Sequence, residues 1–188
     1  MLQRLVAHWV YGGALAGVLL FVLAPLVTRS WPMALTACFL LLPVYMVHQY
    51  EEHDDDRFRR FFNETIGKGR DVLSPAAVFV TNVPGVWGVI AVSLYLAWAV
   101  DIGFGLIAVY LVLVNAIVHI VHALVFRRYN PGLGTAIALF IPLGAFGLWQ
   151  VQRAGGGTAG YQTLGLAVAV GIHAAILIRV RQLQRRTV

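Results

Sequence analysis

The chain has 188 residues, of which 60% are hydrophobic and only 12% are charged, and its mean hydropathy is +0.78. Soluble domains carry about 25% charged residues, so this composition excludes an ordinary soluble domain. We interpret the formal net charge of +6 mainly as a signal of membrane topology, and we expect no nucleic-acid partner.

Charged residues divide the chain into six uncharged windows, and a helix needs roughly 20 residues to cross the hydrocarbon core. We therefore predict an all-α bundle of six transmembrane helices that forms a single domain over residues 1–188. The third window contains Pro75 and Pro84, and a proline inside a helix removes a hydrogen bond. Residues 72–82 could therefore lie at the interface, with 84–100 making the crossing. In chain order the windows are 5–28, 30–50, 72–100, 102–126, 129–152 and 154–178.

The segments between the windows are short, apart from residues 51–75. We expect the first part of that segment to continue the second helix beyond the membrane, and glycines and a proline to break it later. The sequence YNPG at 129–132 predicts a turn after the fourth helix, because proline stops the helix and glycine allows the bend.

Basic residues predict the orientation of the bundle. Twelve of the fourteen lysines and arginines lie at the termini or after the second and fourth helices, whereas Arg29 and Arg153 lie on the opposite side. Because short cytoplasmic loops carry an excess of basic residues, we expect both termini to be cytoplasmic. The protein is then expected in a cytoplasmic membrane of the bacterial type.

Seven of the eight aspartates and glutamates lie between residues 51 and 71, directly after the second window. A helix turns by about 100° per residue, so the end of the second helix carries several polar groups on one face. His53 falls on another face, where we expect it to contact solvent. The shared face carries His48, Glu51, Glu52, Tyr45 and, if the helix continues that far, Asp55.

The fourth helix carries a second polar stripe. Asn115, His119 and His122 are spaced i, i+4 and i+7, so they share one face of an otherwise aliphatic helix. Polar side chains at membrane depth usually face the bundle interior, which predicts that the second and fourth helices lie side by side. At about 1.5 Å per residue, five of the six histidines lie at one depth near the cytoplasmic side: His8, His48, His119, His122 and His173.

Imidazoles and carboxylates on facing helices are the groups with which helix bundles hold metal ions. Cys38 is the only cysteine, and a ligand set without thiolate favours iron, manganese or zinc, as one or two ions. The candidate metal ligands are His48, Glu51, Glu52, His119, His122 and His173, with Asp55 as a further candidate. The candidate catalytic residues are Glu51, Glu52, Asn115 and Tyr45, the last two as groups that orient ligands or bind substrate.

Three elements in this order resemble a known family: HQYEE with His48, Glu51 and Glu52; the Asn115–His119 stripe; and YNPG with Tyr129, Asn130, Pro131 and Gly132. Together they resemble the HXXEE-motif membrane proteins over residues 40 to 135. The resemblance implies a small membrane protein of several helices, and it supplies no reaction.

These observations favour a small membrane enzyme with a metal site at the cytoplasmic end of its bundle, acting on a hydrophobic or lipid-like molecule. Oxidation by iron is favoured over hydrolysis, although zinc fits the ligand types almost as well. A metal-free isomerase that uses histidine and glutamate as acid and base is an alternative. A small proton-linked transporter, or a structural protein whose polar cluster holds the helices together, would also place polar groups in the bundle. The substrate and the oligomeric state are not predicted.

Overall fold

The structure is a computed structural model that describes residues 1–186. Within this part of the chain every regular element is helical and none is a strand. Six helices are long and apolar enough to cross a membrane, which confirms the predicted fold class and indicates an integral membrane protein. Thr187 and Val188, which belong to the single domain predicted for residues 1–188, lie outside the described residues.

Six long helices and one short helix follow each other along the chain. The short one, α3, comes directly after the second long helix. Two of the long helices contain a π-helical segment, Thr81–Trp87 in α4 and Ala136–Phe140 in α6. The helices are α1 (Leu2–Val27), α2 (Met33–His53), α3 (Arg57–Thr65), α4 (Pro75–Ala99), α5 (Ile102–Phe126), α6 (Leu133–Arg153) and α7 (Ala159–Arg186).

Residues Pro75–Ala99 of the third window form one continuous helix, α4, which is long and apolar enough to cross a membrane. Pro75 stands in the first turn of α4, where its missing N–H is not needed, and the Ser74 hydroxyl accepts a hydrogen bond from the Ala77 N–H (3.2 Å). Pro84 lies inside the π-helical segment, a local change of hydrogen-bond register that accommodates the proline without ending the helix.

The predicted continuation of α2 beyond residue 50 is confirmed as far as His53, where the helix ends. Asp55 and Asp56 have φ values of +51° and +58°, a left-handed conformation that aspartate tolerates better than most residues. The chain therefore turns sharply before α3. The Asp55 carboxylate accepts a hydrogen bond from Arg60 (2.8 Å), and its side chain is 78% exposed. Asp55 thus leaves the polar face of α2 and is not a ligand candidate.

The second long helix, α2, occupies the centre of the bundle. In its most apolar 18-residue stretch 67% of the residues are buried, against 22% in α1 and 17% in α7. It contacts α1, α4, α5 and α6, while α5 packs against α7. The prediction that the second and fourth membrane helices lie side by side is therefore confirmed, because these helices are α2 and α5.

Helix α3 covers one end of the bundle. Phe62 is 3% exposed and packs against Val72, Leu73 and Val78. The C-terminal helix reaches the same end, where the Arg70 guanidinium donates a hydrogen bond to the Gln184 carbonyl oxygen (2.9 Å). We call this the basic end, because it holds the loops that carry most of the arginines. The loops at 28–32, 100–101 and 154–158 lie at the far end.

Candidate metal centre

Three buried side chains meet near the basic end, at the contact between α2 and α5. The exposed fractions of His48, Glu52 and His119 are 0%, 5% and 2%. One ligand atom from each lies within 4.8 Å of the other two. The Glu52 carboxylate is 3.6 Å from Nε2 of His48 and 3.5 Å from Nε2 of His119. We call these three residues the His/Glu centre.

Hydrogen bonds determine which nitrogen of His48 carries the proton. Nδ1 of His48 lies 2.7 Å from the Thr135 hydroxyl, and this hydroxyl donates its hydrogen to the Glu51 carboxylate. The hydroxyl oxygen must therefore accept from Nδ1, which leaves a lone pair on Nε2. That Nε2 is buried without a hydrogen-bond partner among the described residues, and it faces Glu52.

The same argument applies to His119. The Asn130 side chain donates a hydrogen bond through Nδ2 to the His119 carbonyl oxygen (2.9 Å), which fixes the orientation of the amide. Its Oδ1 then lies 2.6 Å from Nδ1 of His119, so Nδ1 carries a proton and Nε2 is the nitrogen that faces Glu52. Histidines that bind metals are usually held in this way, with the second ring nitrogen donating to an oxygen.

The charge of the centre suits a cation. Two imidazole nitrogens and a carboxylate converge in a buried space, where a metal ion or a proton between them would stabilise the carboxylate. Two imidazoles and one carboxylate are a common ligand set for zinc and for non-haem iron. The His/Glu centre can therefore hold a metal ion, and its three protein ligands would leave coordination positions open.

The neighbouring glutamate, Glu51, points elsewhere. Its carboxylate accepts hydrogen bonds from the backbone N–H groups of Gly134 (3.0 Å) and Thr135 (2.7 Å), and from the hydroxyls of Thr135 and Tyr129. Burial and the hydrogen bond to Glu51 raise the pKa of Tyr129 to about 12, so the phenol stays a neutral donor. We call Glu51, Tyr129, Gly134 and Thr135 the Glu51 clamp, which binds α2 to the first turn of α6.

Gly132 of the YNPG turn fits closely against the two histidines. Its φ is +95°, a conformation that favours glycine. A Cβ at this position would lie 2.6 Å from Cε1 of His119 and 2.9 Å from Cε1 of His48. The turn can therefore pass over both rings only because residue 132 has no side chain.

The remaining predicted residues line a cavity of about 310 Å³ next to the centre. Tyr45, Asn115, His122 and His173 all border this space, together with Glu52 and His119, but His122 and His173 are outside the group of three. Nδ1 of His173 lies 2.8 Å from the Ala169 carbonyl oxygen of its own helix. Apart from these polar groups, the walls are mainly aliphatic and aromatic side chains of α3, α4, α5 and α7.

The expectation that His53 contacts solvent is wrong, because the residue is 7% exposed and its Nε2 lies 3.1 Å from the Glu52 carboxylate. The rings of Trp9 and Phe58 cover it, with centroids 5.2 and 5.3 Å away. Phe58 reaches this position only because the chain turns after α2, which the helical face angles alone do not reveal.

A second buried polar chain reaches the centre from α4. The Trp87 indole N–H donates to Oε1 of Gln49 (2.6 Å), and Nδ2 of Asn82 lies 3.3 Å from His53. Between them, Nε2 of Gln49 donates to Oδ1 of Asn82 (2.9 Å). Sequence reasoning missed Gln49, which lies within the HQYEE motif, and Thr135, which follows the YNPG motif by three residues.

Comparison with known proteins supports the resemblance noted above. Residues 39–147 match the model of a family described as proteins of unknown function with the HXXEE motif. The matched range, more than half of the chain, contains the His/Glu centre and the Glu51 clamp, whereas His173 lies outside it. No curated protein and no solved structure matched. The chain therefore belongs to the HXXEE-motif family of proteins of unknown function.

Proposed function

We propose that this protein is a membrane enzyme in which His48, Glu52 and His119 bind one divalent metal ion next to a hydrophobic substrate. The observation that carries the proposal is the convergence of two Nε2 atoms and one carboxylate in a buried space. When bound, an ion with open coordination positions activates water, or dioxygen if the ion is iron.

One ion fits the side chains better than two. A second ion needs further ligands close to the first, and Glu51 is the nearest additional carboxylate in the sequence. Its two oxygens are already occupied by four hydrogen-bond donors. We therefore propose that Glu51, Thr135 and Asn130 are positioning residues. They orient the imidazoles of His48 and His119 and determine which nitrogen faces the metal.

The cavity next to the centre supports a hydrophobic or lipid-like substrate. Its walls are mostly apolar, and its volume of about 310 Å³ lies at the small end of the range of ligand pockets, which is roughly 300–1,000 Å³. Tyr45 and Asn115 are the polar groups on the walls of this cavity that we assign to substrate binding. By the distribution of basic residues, we place the site at the cytoplasmic side of a bacterial-type plasma membrane.

Elemental analysis of the purified protein tests the proposal. We expect about one equivalent of iron or zinc per chain in the wild type, with iron indicating oxidation and zinc indicating hydrolysis. His119→Ala should lose the metal, because it removes one of three ligands. His122→Ala is the matched control, since it removes another cavity-lining imidazole of α5 that lies outside the centre, and it should keep the metal.

Two results would contradict the proposal. One is a wild-type protein without stoichiometric metal after expression in medium that contains iron and zinc. The other is a metal content that does not change in His119→Ala. Activity that survives exhaustive chelation would favour the metal-free acid–base enzyme instead.

A further inference from the structure

The cavity beside the His/Glu centre has walls that reach the lipid-facing surface. Ile117 and Val121 of α5 and Leu177 of α7 line the cavity, yet they are 58%, 47% and 44% exposed. Nearer the far end the same two helices are in contact, where the Tyr110 hydroxyl donates a hydrogen bond to Gln162. The opening therefore lies between α5 and α7 on the side of the basic end.

Two polar side chains in the wall of this cavity have unused hydrogen-bonding capacity. Nδ2 of Asn115 donates to the Tyr45 hydroxyl oxygen (3.0 Å), while Oδ1 of Asn115 is buried without a partner among the described residues. Tyr45 is 2% exposed, and its own hydroxyl hydrogen is directed to no acceptor in the described hydrogen bonds. A buried polar atom without a partner costs free energy, so the pair is suited to a ligand that supplies both a donor and an acceptor.

We propose that the substrate is an apolar molecule with a hydroxyl group, which enters from the bilayer between α5 and α7 and hydrogen-bonds to Asn115 and Tyr45. A hydroxyl is the smallest group that donates to the free Oδ1 of Asn115 and accepts from the hydroxyl of Tyr45 at the same time. The hydrocarbon part of the molecule occupies the aliphatic walls and extends through the opening into the lipid.

The spacing along α5 locates the reacting part of this molecule. Asn115 and His119 are one helical turn apart, and residues at this spacing have Cβ atoms roughly 5–6 Å apart. The metal ion of the proposed function, on which this step rests, is bound partly by His119. The bond that reacts is therefore a few carbon atoms away from the hydroxyl that Asn115 recognises.

Photolabelling tests the recognition of the hydroxyl. The probes are a long-chain primary alcohol with a mid-chain diazirine and its O-methyl ether, each added to the protein in lipid nanodiscs. Because one net hydrogen bond changes binding by roughly two- to tenfold, we expect the alcohol to label α5 and α7 that much more than the ether. Asn115→Leu, of similar volume, should reduce labelling by the alcohol to the level of the ether, and Tyr45→Phe should do the same.

Metal content measured on the same samples separates this inference from the proposed function. A preference for the alcohol in protein that binds no metal would support hydroxyl recognition and contradict the metal enzyme. Metal-loaded protein that labels equally with alcohol and ether would overturn the inference and leave the metal centre intact. Equal alcohol labelling in wild type and in metal-loaded Asn115→Leu would also overturn it.

Two variants of α5 test whether the substrate enters from the bilayer between α5 and α7. Ile117→Trp places a large ring in the opening, and we expect it to reduce labelling of the cavity by the alcohol. Leu124→Trp is the control, because Leu124 is 72% exposed on the same helix and does not line the cavity. If both variants label as strongly as the wild type, the substrate does not enter between α5 and α7.

Discussion

The His/Glu centre and the Glu51 clamp lie side by side, and each is built around a glutamate of the same Glu–Glu pair. The carboxylate of Glu51 is surrounded by N–H and O–H donors from the first turn of α6 and the preceding loop. The carboxylate of Glu52 faces the Nε2 atoms of His48, His119 and His53. A carboxylate with enough donors is stable by itself, whereas one that faces imidazole nitrogens is stabilised by a proton or a metal ion between them.

The residues of the HQYEE motif therefore have different structural roles. His48 and Glu52 are spaced i, i+4 and face α5, whereas Glu51 is rotated by about 100° from Glu52 and reaches the start of α6. The first histidine and the last glutamate thus belong to the centre, and the glutamate between them holds α6 in place. Thr135 connects the two regions, because it contacts Glu51 and His48 at once.

We expect the largest difference in metal affinity between substitutions of the adjacent residues Glu52 and Glu51. Glu52→Gln removes the negative charge of a proposed ligand, and we expect metal affinity to fall by more than about 100-fold, the upper end of what the loss of an orienting residue costs. Glu51→Gln leaves all three ligands in place and should cost only about 10- to 100-fold. Titration of the metal-free proteins with zinc or iron measures both values. Equal losses in the two variants would contradict the distinction between centre and clamp.

Gly132→Ala should damage the centre through packing. The new methyl group would meet both imidazoles, so we expect a lower metal affinity as well as the roughly 1–3 kcal/mol lost by a non-glycine residue in a strained backbone conformation. Gly155→Ala is the control, because Gly155 has a φ of +86° and no atom within 4 Å of its Cβ position. It should lose stability without losing metal. Thermal unfolding of both variants measures the cost of backbone strain, and metal titration measures the effect of the methyl group on the two imidazoles.

The smallest expected effect concerns the link between the two regions. Thr135→Val removes the hydroxyl that accepts from His48 and donates to Glu51, and we expect metal affinity to fall by about tenfold. Thr135→Ser keeps the hydroxyl and should bind metal like the wild type. If valine and serine at position 135 gave the same affinity, the hydroxyl would have no part in orienting His48.

Much of the fold could be predicted, because membrane spans depend on local composition. Six uncharged windows of sufficient length correspond to the six long helices. The contact between α2 and α5 followed from two polar stripes that each needed a buried partner. The helix break at Asp55 could not be predicted in this way, since its left-handed conformation is stabilised together with α3 and its arginines.

The types of side chain at the candidate site could be predicted from the sequence, but the complete set of residues there could not. Tyr45, Asn115, His122 and His173 border the cavity, so these predicted residues do lie in one region of the bundle. Gln49 and His53 were not expected at the site, because their positions depend on α4 and on the turn after α2. Thr135 was missed because its importance comes from contacts with residues more than eighty positions away.

By itself, the sequence determined that this protein is a bundle of six apolar helices, with histidines and carboxylates concentrated towards one end. Hydropathy and helical spacing are properties of neighbouring residues, so no distant contact was needed for either conclusion. Only the tertiary structure decided that Glu52 belongs to the centre while Glu51 holds α6. The two residues are adjacent, and what separates their roles is which groups of α5, α6 and the YNPG turn each carboxylate meets.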